Sequence, residues 1–453
     1  MKGFIIAISP FFYICLMQSL LVYIPKITAR HQYVFGLIFN EIYQIEYQLT
    51  DDKPTYLAAQ TSKLNYSLSP VCESEVFVEA HSLLNERGIN EVSIQIEEHE
   101  NCPVFFQASN ESAFAYDVFA ASFYLVSRYE EYLPHLKDKY NRFKAEESLA
   151  FKHNFLQKTV VNIWAKQLIS VFEDKFPNLK IKSPGFKYIS TIDIDNAYLY
   201  KGKGFVRSAA FLLKAILRFD IDSLKMAVAV SSKKRKDPFD TYSLQFNLQK
   251  KYNLDMRYFV LLGDYGLNDK NISHTNSSFQ ALIKRLADLA PVGVHPSFGS
   301  SINESQLAVE IKRLEDIQKR EITFSRQHFL QLSFPKTYKR LLEVGITNDY
   351  TMGYASVLGF RAGIASSFTF YNLDMEQILP IKVHPFAIVD YTLKFNMQLN
   401  PDDVAQQLGE IINEVKQVDG TLISIWHNDT FSDVGVWKGW RNVYEDMVKL
   451  INT

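Results

Sequence analysis

The chain has 453 residues, 47% hydrophobic and 22% charged, with 49 lysines and arginines against 50 acidic residues. That length suffices for one large core or two smaller ones, and the balanced charge, with no long basic run, gives nothing to bind nucleic acid. Three cysteines (Cys15, Cys72 and Cys102) make no disulfide framework, which excludes the stapled secreted class and suits a reducing compartment.

From Phe4 to Val22 the chain is mostly apolar behind Lys2, like a signal segment or anchor. Pro10 interrupts the run, no small-x-small cleavage site stands out, and Met17 offers a second start. We therefore expect residues 1–19 to be an apolar extension without a firm membrane span, on a cytoplasmic protein. A genuine signal segment over residues 1–22 would instead make the protein membrane-anchored or exported. Leu20 to Thr28 reads as the first strand of a folded domain. Only Gly3, Gly36 and Gly88 precede residue 185; the other fifteen glycines lie at or beyond it. That shift predicts two differently built domains, 20–182 and 186–453, joined through the polar stretch Asn178 to Gly185.

The first domain reads as α+β, of unassigned role. Glu91 to Ile96 is a strand candidate, and Ala113 to Tyr129 is aromatic-rich and helical. Thr159 to Phe176 is a helix with Val160, Trp164, Leu168 and Phe172 on one core-facing stripe. Arg128 to Pro134, polar and aromatic, fits a cleft lining and a solvated helix end equally well.

Beyond residue 185 strands and helices alternate. Strands are expected at 188–192, 257–262, 292–294, 321–324, 345–347, 367–370, 378–381 and 422–426. Helices are expected at 241–252, 277–289, 304–319, 335–344 and 401–418. Alternation of this kind makes parallel strands with crossover helices, and here a distorted, partly closed (β/α) barrel of about seven strands.

Working groups in such a barrel sit at the C-terminal ends of the strands. The strand Tyr188 to Ile192 runs into Asp193 and Asp195, Val292 to Val294 into His295 and Ser297, and Ile322 to Ser325 into Arg326 and His328. Leu422 to Trp426 ends at His427, and Arg361 stands between Gly359 and Gly363. One carboxylate and two imidazoles with open positions suit a hydrolytic divalent metal, most readily Zn²⁺, with Co²⁺, Ni²⁺ or Fe²⁺ also compatible. A second carboxylate can take a proton from water, and a remaining imidazole can protonate a leaving group.

Residues 186–453 resemble the polysaccharide deacetylases of carbohydrate esterase family four, the NodB-homology domain. Thr191-Ile-Asp-Ile-Asp195 is similar to the family's first motif, which implies Asp193 as catalytic base and Asp195 as metal ligand. His295-Pro-Ser297 resembles the start of its His-Ser-x-x-His motif, and His295 is the implied second ligand. Gly359-Phe-Arg-Ala-Gly363 resembles the arginine motif, with Arg361 orienting the base and Ala362 replacing the family's proline. Ile425-Trp-His427 resembles the last motif, with His427 as general acid and Trp426 shaping the acetyl pocket or packing beneath it. The second histidine of the His-x-x-x-His pair would fall at Gly299, which has no side chain to bind a metal. We expect His328, at the end of the next strand, to take its place, with Ser297 and Arg326 orienting the ligands. The resemblance implies removal of N-acetyl groups from an amino sugar in a polysaccharide or glycolipid precursor. Two other readings remain open: an Asp-x-Asp glycosyltransferase, which leaves the histidines unused, and a degenerate barrel that only binds glycans.

Overall fold

The computed structural model describes residues 19–452, so all but the last residue of the apolar extension expected at 1–19 lies outside the described residues. The chain first builds a four-stranded parallel sheet from β1 (Leu20–Tyr23), β2 (Tyr47–Thr50), β3 (Ser62–Ser67) and β4 (Val76–Glu79), in the order β2-β1-β3-β4. Parallel pairing requires crossovers between the strands, so this part is α/β and not the α+β arrangement expected. The strand expected at 91–96 is irregular, and a short antiparallel pair, β5 (Glu97–His99) and β6 (Cys102–Val104), follows it. The helix expected from Ala113 narrows to α1 (Val118–Val126). Asp117 accepts from the backbone N–H groups of Phe119 and Ala120, and this cap fixes the start. Arg128, in the left-handed conformation, ends the helix before Tyr129. Then α2 (Val160–Lys175) buries Val160, Trp164, Leu168 and Phe172, the stripe that the spacing predicted.

The second sheet has nine strands: β7 (Lys187–Ile194), β8 (Asp255–Val260), β9 (Val292–Val294), β10 (Phe324–Ser325), β11 (Asn348–Asp349), β12 (Phe368–Asn372), β13 (Gln377–Val383), β14 (Ile388–Val389) and β15 (Thr421–His427). Their order is β12-β13-β11-β10-β9-β8-β7-β15-β14, a curled half-barrel, parallel except for the antiparallel edge pair β12–β13. The count is nine and not the expected seven or so; eight of the strands correspond to the expected segments. The ninth, β14, is two residues long and carries too little sequence for a period-two signal. Two short strands, β10 and β11, also sit a few residues later than expected, because pairing with neighbours sets them: Ser325 opposes both Val294 and Asp349. Buried apolar side chains run as one continuous cluster from Leu20 through both sheets to Ile451. Among the described residues no helix is long and apolar enough to cross a membrane, and Cys72 and Cys102 are free thiols.

Candidate metal centre and active site

Register places the central groups. Asp193 on β7 lies directly beside His427 on β15, and Asp195 follows one residue past the strand. On the other flank His295 and Arg326 leave adjacent strands together, and the His295 Nδ1 bonds the Arg326 carbonyl at 2.5 Å. Asp195 therefore faces three imidazoles: its Oδ1 is 3.2 Å from His295 Nε2, and its Oδ2 is 3.4 Å from His328 Nε2 and 3.8 Å from His427 Nε2. One ligand atom each from Asp195, His295 and His328 lies within 4.8 Å of the others.

The ring tautomers decide what this cluster can bind. His328 Nδ1 bonds Asp269 Oδ1 at 2.9 Å, as His295 Nδ1 bonds the Arg326 carbonyl. Acceptors at both Nδ1 atoms fix the N–H there and turn the Nε2 lone pairs toward the carboxylate of Asp195. Lone pairs set against a carboxylate repel unless a cation stands among them, and the buried Asp195 Oδ1 has no hydrogen-bond partner. The donor set thus fits a divalent metal with histidine and carboxylate ligands. With no cation between them, the carboxylates draw protons onto His328 and His427. Burial disfavours the charged rings, yet Asp195 and Asp269 push His328 up to about 9, and Asp390 with Asp195 and Asp193 push His427 up to about 10.

Asp269 lies beside Gly299, the position where the resemblance placed a second histidine. Its Oδ1 accepts from the Phe298 N–H at 2.9 Å and binds His328 Nδ1, and its Oδ2 accepts from the Gly299 N–H at 3.1 Å. These bonds, led by the His328 contact, outweigh burial and hold the carboxyl below its usual value. Asp269→Ala should therefore weaken metal binding about 10–100-fold with the three ligands intact, measured by competition with a chromogenic chelator. Unchanged affinity would mean that the carboxylate does not orient His328.

The contact to Asp193 expected of Arg361 is made by Arg326. Arg326, fully buried, donates from Nη1 to Asp193 Oδ1 at 2.8 Å, gives its Nε to the Tyr350 carbonyl and lies 4.4 Å from the Phe259 ring centroid. Arg361, expected to orient Asp193, instead binds Glu131 through Nε and Nη2 at 2.8 and 2.5 Å. Glu131 comes from the N-terminal part of the chain, within the polar stretch that the sequence left undecided. Ser297 and Trp426 also lie away from the cleft. Ser297 caps a short helix and bonds Glu310 through both its N–H and its Oγ. Trp426 is buried on the opposite face of β15, 5.1 Å from the Tyr444 ring, because Ile425 and His427 take the cleft face.

Sequence reasoning missed Asp390, at the end of β14. It accepts from both Nδ1 and the backbone N–H of His427 at 2.8 Å, fixing that ring with Nε2 toward Asp195. The available signal was an apolar pair, Ile388-Val389, running into an acid, as at the other strand ends.

The centre opens into a cavity of about 750 Å³. One wall is a hairpin from the N-terminal part of the chain that supplies Lys137, Lys139, Tyr140, Arg142 and Lys144. Arg142 ties this hairpin to the carbonyl of Phe329 at 2.6 Å, and Tyr140 packs on the Phe329 ring. Phe329 and Leu330 both have positive φ, an arrangement that needs such support, and they directly follow His328.

Residues 20–177 match a family model described as a family of unknown function, DUF7033. No curated protein matches the chain. Similar solved structures include a protein from Mycobacterium smegmatis described as a polysaccharide deacetylase, at 12% identity, 58% of this chain and 84% of that one, with a TM-score of 0.37. A polysaccharide deacetylase from Bacillus cereus aligns at 12% identity over 59% of this chain and 87% of its own, with a TM-score of 0.29. A family-four pseudoenzyme from Bacillus anthracis aligns at 11% identity over 59% of this chain and 63% of its own, with a TM-score of 0.27.

Proposed function

We propose that the chain is a divalent-metal hydrolase that removes an acyl group, most simply acetyl, from the nitrogen of an amino sugar in a glycan or glycolipid. The observation that carries this is the convergence of Asp195, His295 and His328 beside a held carboxylate, Asp193, and a held imidazole, His427. A metal bound there, Zn²⁺ by ligand type, would supply Lewis acidity and lower the pKa of water. The chain's own residues supply the proton path. Asp193 Oδ1 is fixed by Arg326, so Oδ2, 3.8 Å from His295 Nε2, is the oxygen that receives the proton of the attacking water. His427, held protonated by Asp390, donates from Nε2 to the departing amine. Burial of the ligand histidines and Asp193 excludes bulk water on the protein side and strengthens each of these interactions.

The same geometry disfavours the Asp-x-Asp transferase reading. Both carboxylates would have to face one metal-nucleotide, whereas Asp193 commits Oδ1 to Arg326, and Asp195, at 3.2 and 3.4 Å from His295 and His328, is the carboxylate set among the imidazoles. In this reading the N-terminal hairpin forms part of the glycan-binding wall.

The test is metal content per chain after Zn²⁺ loading, with release of acetate from N-acetylated amino-sugar oligomers measured alongside. Near-stoichiometric metal in the wild type, lost in both His295→Ala and His328→Ala, is expected. Metal retained in His328→Ala would remove that residue from the ligand set. A wild type that binds no metal would overturn the hydrolase reading.

A further inference from the structure

The helical hairpin α3 (Gly204–Leu217) and α4 (Ile221–Ser231) follows β7 directly and plays no part in the chemistry above. It is built unlike the other helices. Of 23 exposed large hydrophobic side chains among the described residues, eight fall between Phe205 and Val228, a stretch of 24 residues. On α3, Phe205, Ala209, Leu213, Ile216 and Leu217 recur at helical spacing on one face, and this face is open: Phe205 is 88%, Leu213 59% and Leu217 71% exposed. Phe219, at the tip between the helices, is 88% exposed. An apolar face of this kind is a contact surface for something apolar.

Charge selects what that is. The whole chain carries a formal charge of −1, yet residues 199–236 hold ten lysines and arginines against two aspartates, a local charge of +8. Four of these cations are consecutive, Lys233-Lys-Arg-Lys236, just past α4. Helices with an apolar face and a strongly basic flank lie in the interface of anionic bilayers, the apolar side chains among the acyl chains and the cations at the headgroups. A cavity of about 720 Å³ lies against the hairpin, with Leu199, Phe211, Leu212 and Val228 in its lining beside Lys203 and Arg207, the same pairing of apolar and basic groups.

We propose that α3 and α4 dock the protein on the surface of an anionic phospholipid bilayer without spanning it. The hairpin begins shortly after Asp195 and is tied to the strand end by a Lys203–Asn196 hydrogen bond, so docking sets the sheet's C-terminal end near the bilayer. The docking does not depend on the hydrolase reading; the two stand or fall separately.

The experiment is flotation of the full chain with vesicles of phosphatidylglycerol and phosphatidylcholine in equal parts, and with phosphatidylcholine alone. Two multiple variants are compared with the wild type. One carries Phe205→Ser, Leu213→Ser and Leu217→Ser; the other carries serine at Lys233, Lys234, Arg235 and Lys236. All seven side chains are exposed, and thermal unfolding verifies that both variants fold. Wild-type binding should require the anionic lipid and weaken with salt, and each variant should lose at least about tenfold in affinity. Equal flotation of the wild type and both variants would place membrane contact elsewhere and overturn the proposal. So would a wild type that does not float, one that binds duplex DNA instead, or a concentration-dependent dimer abolished by the apolar variant, which would assign the face to a second copy.

Discussion

Asp193→Asn should lower the rate of acyl release about 10²–10⁴-fold while leaving metal content unchanged. Asparagine keeps the shape and still accepts from Arg326 through Oδ1, but it cannot take a proton. Asp195, His295 and His328 do not need Asp193 to stay in place, because Asp269 and the Arg326 carbonyl orient the two rings. The substitution leaves the Arg326 guanidinium, buried and already depressed in pKa by burial, without its carboxylate partner. A lower melting temperature is therefore expected as well, and turnover must be measured where the variant is fully folded. Arg326→Gln provides the companion measurement. Asp193 would lose its fixed hydrogen bond, so kcat should fall with KM and metal content unchanged. A purely structural role would leave kcat per folded molecule where it is. Full activity in Asp193→Asn would exclude it as the base.

Much of this centre was legible because parallel strands concentrate chemistry at their ends. Asp193, Asp195, His295, His328 and His427 could each be placed by the run of apolar residues before it. That His328 lies beside His295 was legible for the same reason, since β9 and β10 are neighbours. The choice between arginines was not. Arg361 matches a motif, but its partner Glu131 lies 230 residues earlier, and only the packing of both sheets on one core brings them together. Arg326 reaches Asp193 because of cross-strand register, which no single strand's sequence contains. Asp269 and Asp390 sit outside any periodic stretch, so each looked like an ordinary loop acid. Of the two places expected for Trp426, period-two alternation already selects the one beneath the strand, opposite His427. The α3–α4 hairpin went unread because its apolar residues face outward, where periodicity alone cannot separate a core stripe from a contact surface.

Glu131→Ala should destabilise the fold by ~3–5 kcal/mol, the usual cost of breaking a buried ion pair from one side. Glu131 is almost fully buried and takes Arg361 on both oxygens and Arg128 on one. Arg128 keeps Glu130 at 2.7 Å when Glu131 is removed, but Arg361 retains only the Gly353 carbonyl. A guanidinium buried among Phe334, Tyr354 and Phe143 is then left uncompensated. The double variant Glu131→Leu with Arg361→Leu removes charge from both sides and should recover much of the loss, since apolar replacement of a buried pair is often neutral or better. The pH dependence has a definite sign. Burial opposes ionisation of Glu131, yet Arg361 and Arg128 hold its carboxyl below the ordinary 4.5. Its contribution is therefore complete above that value and lost as the pH falls through the lower, folded-state one. Urea unfolding at neutral pH and at pH values below 4.5 should show the wild type converging on Glu131→Ala as the acid form takes over. The double variant also separates the two accounts of Arg361. If the guanidinium only joins the N-terminal segment to the half-barrel, turnover measured at a temperature where the protein is folded should be nearly unchanged. If Arg361 orients the base, turnover should fall even where stability is restored, and the assignment of Asp193 to Arg326 would have to be withdrawn.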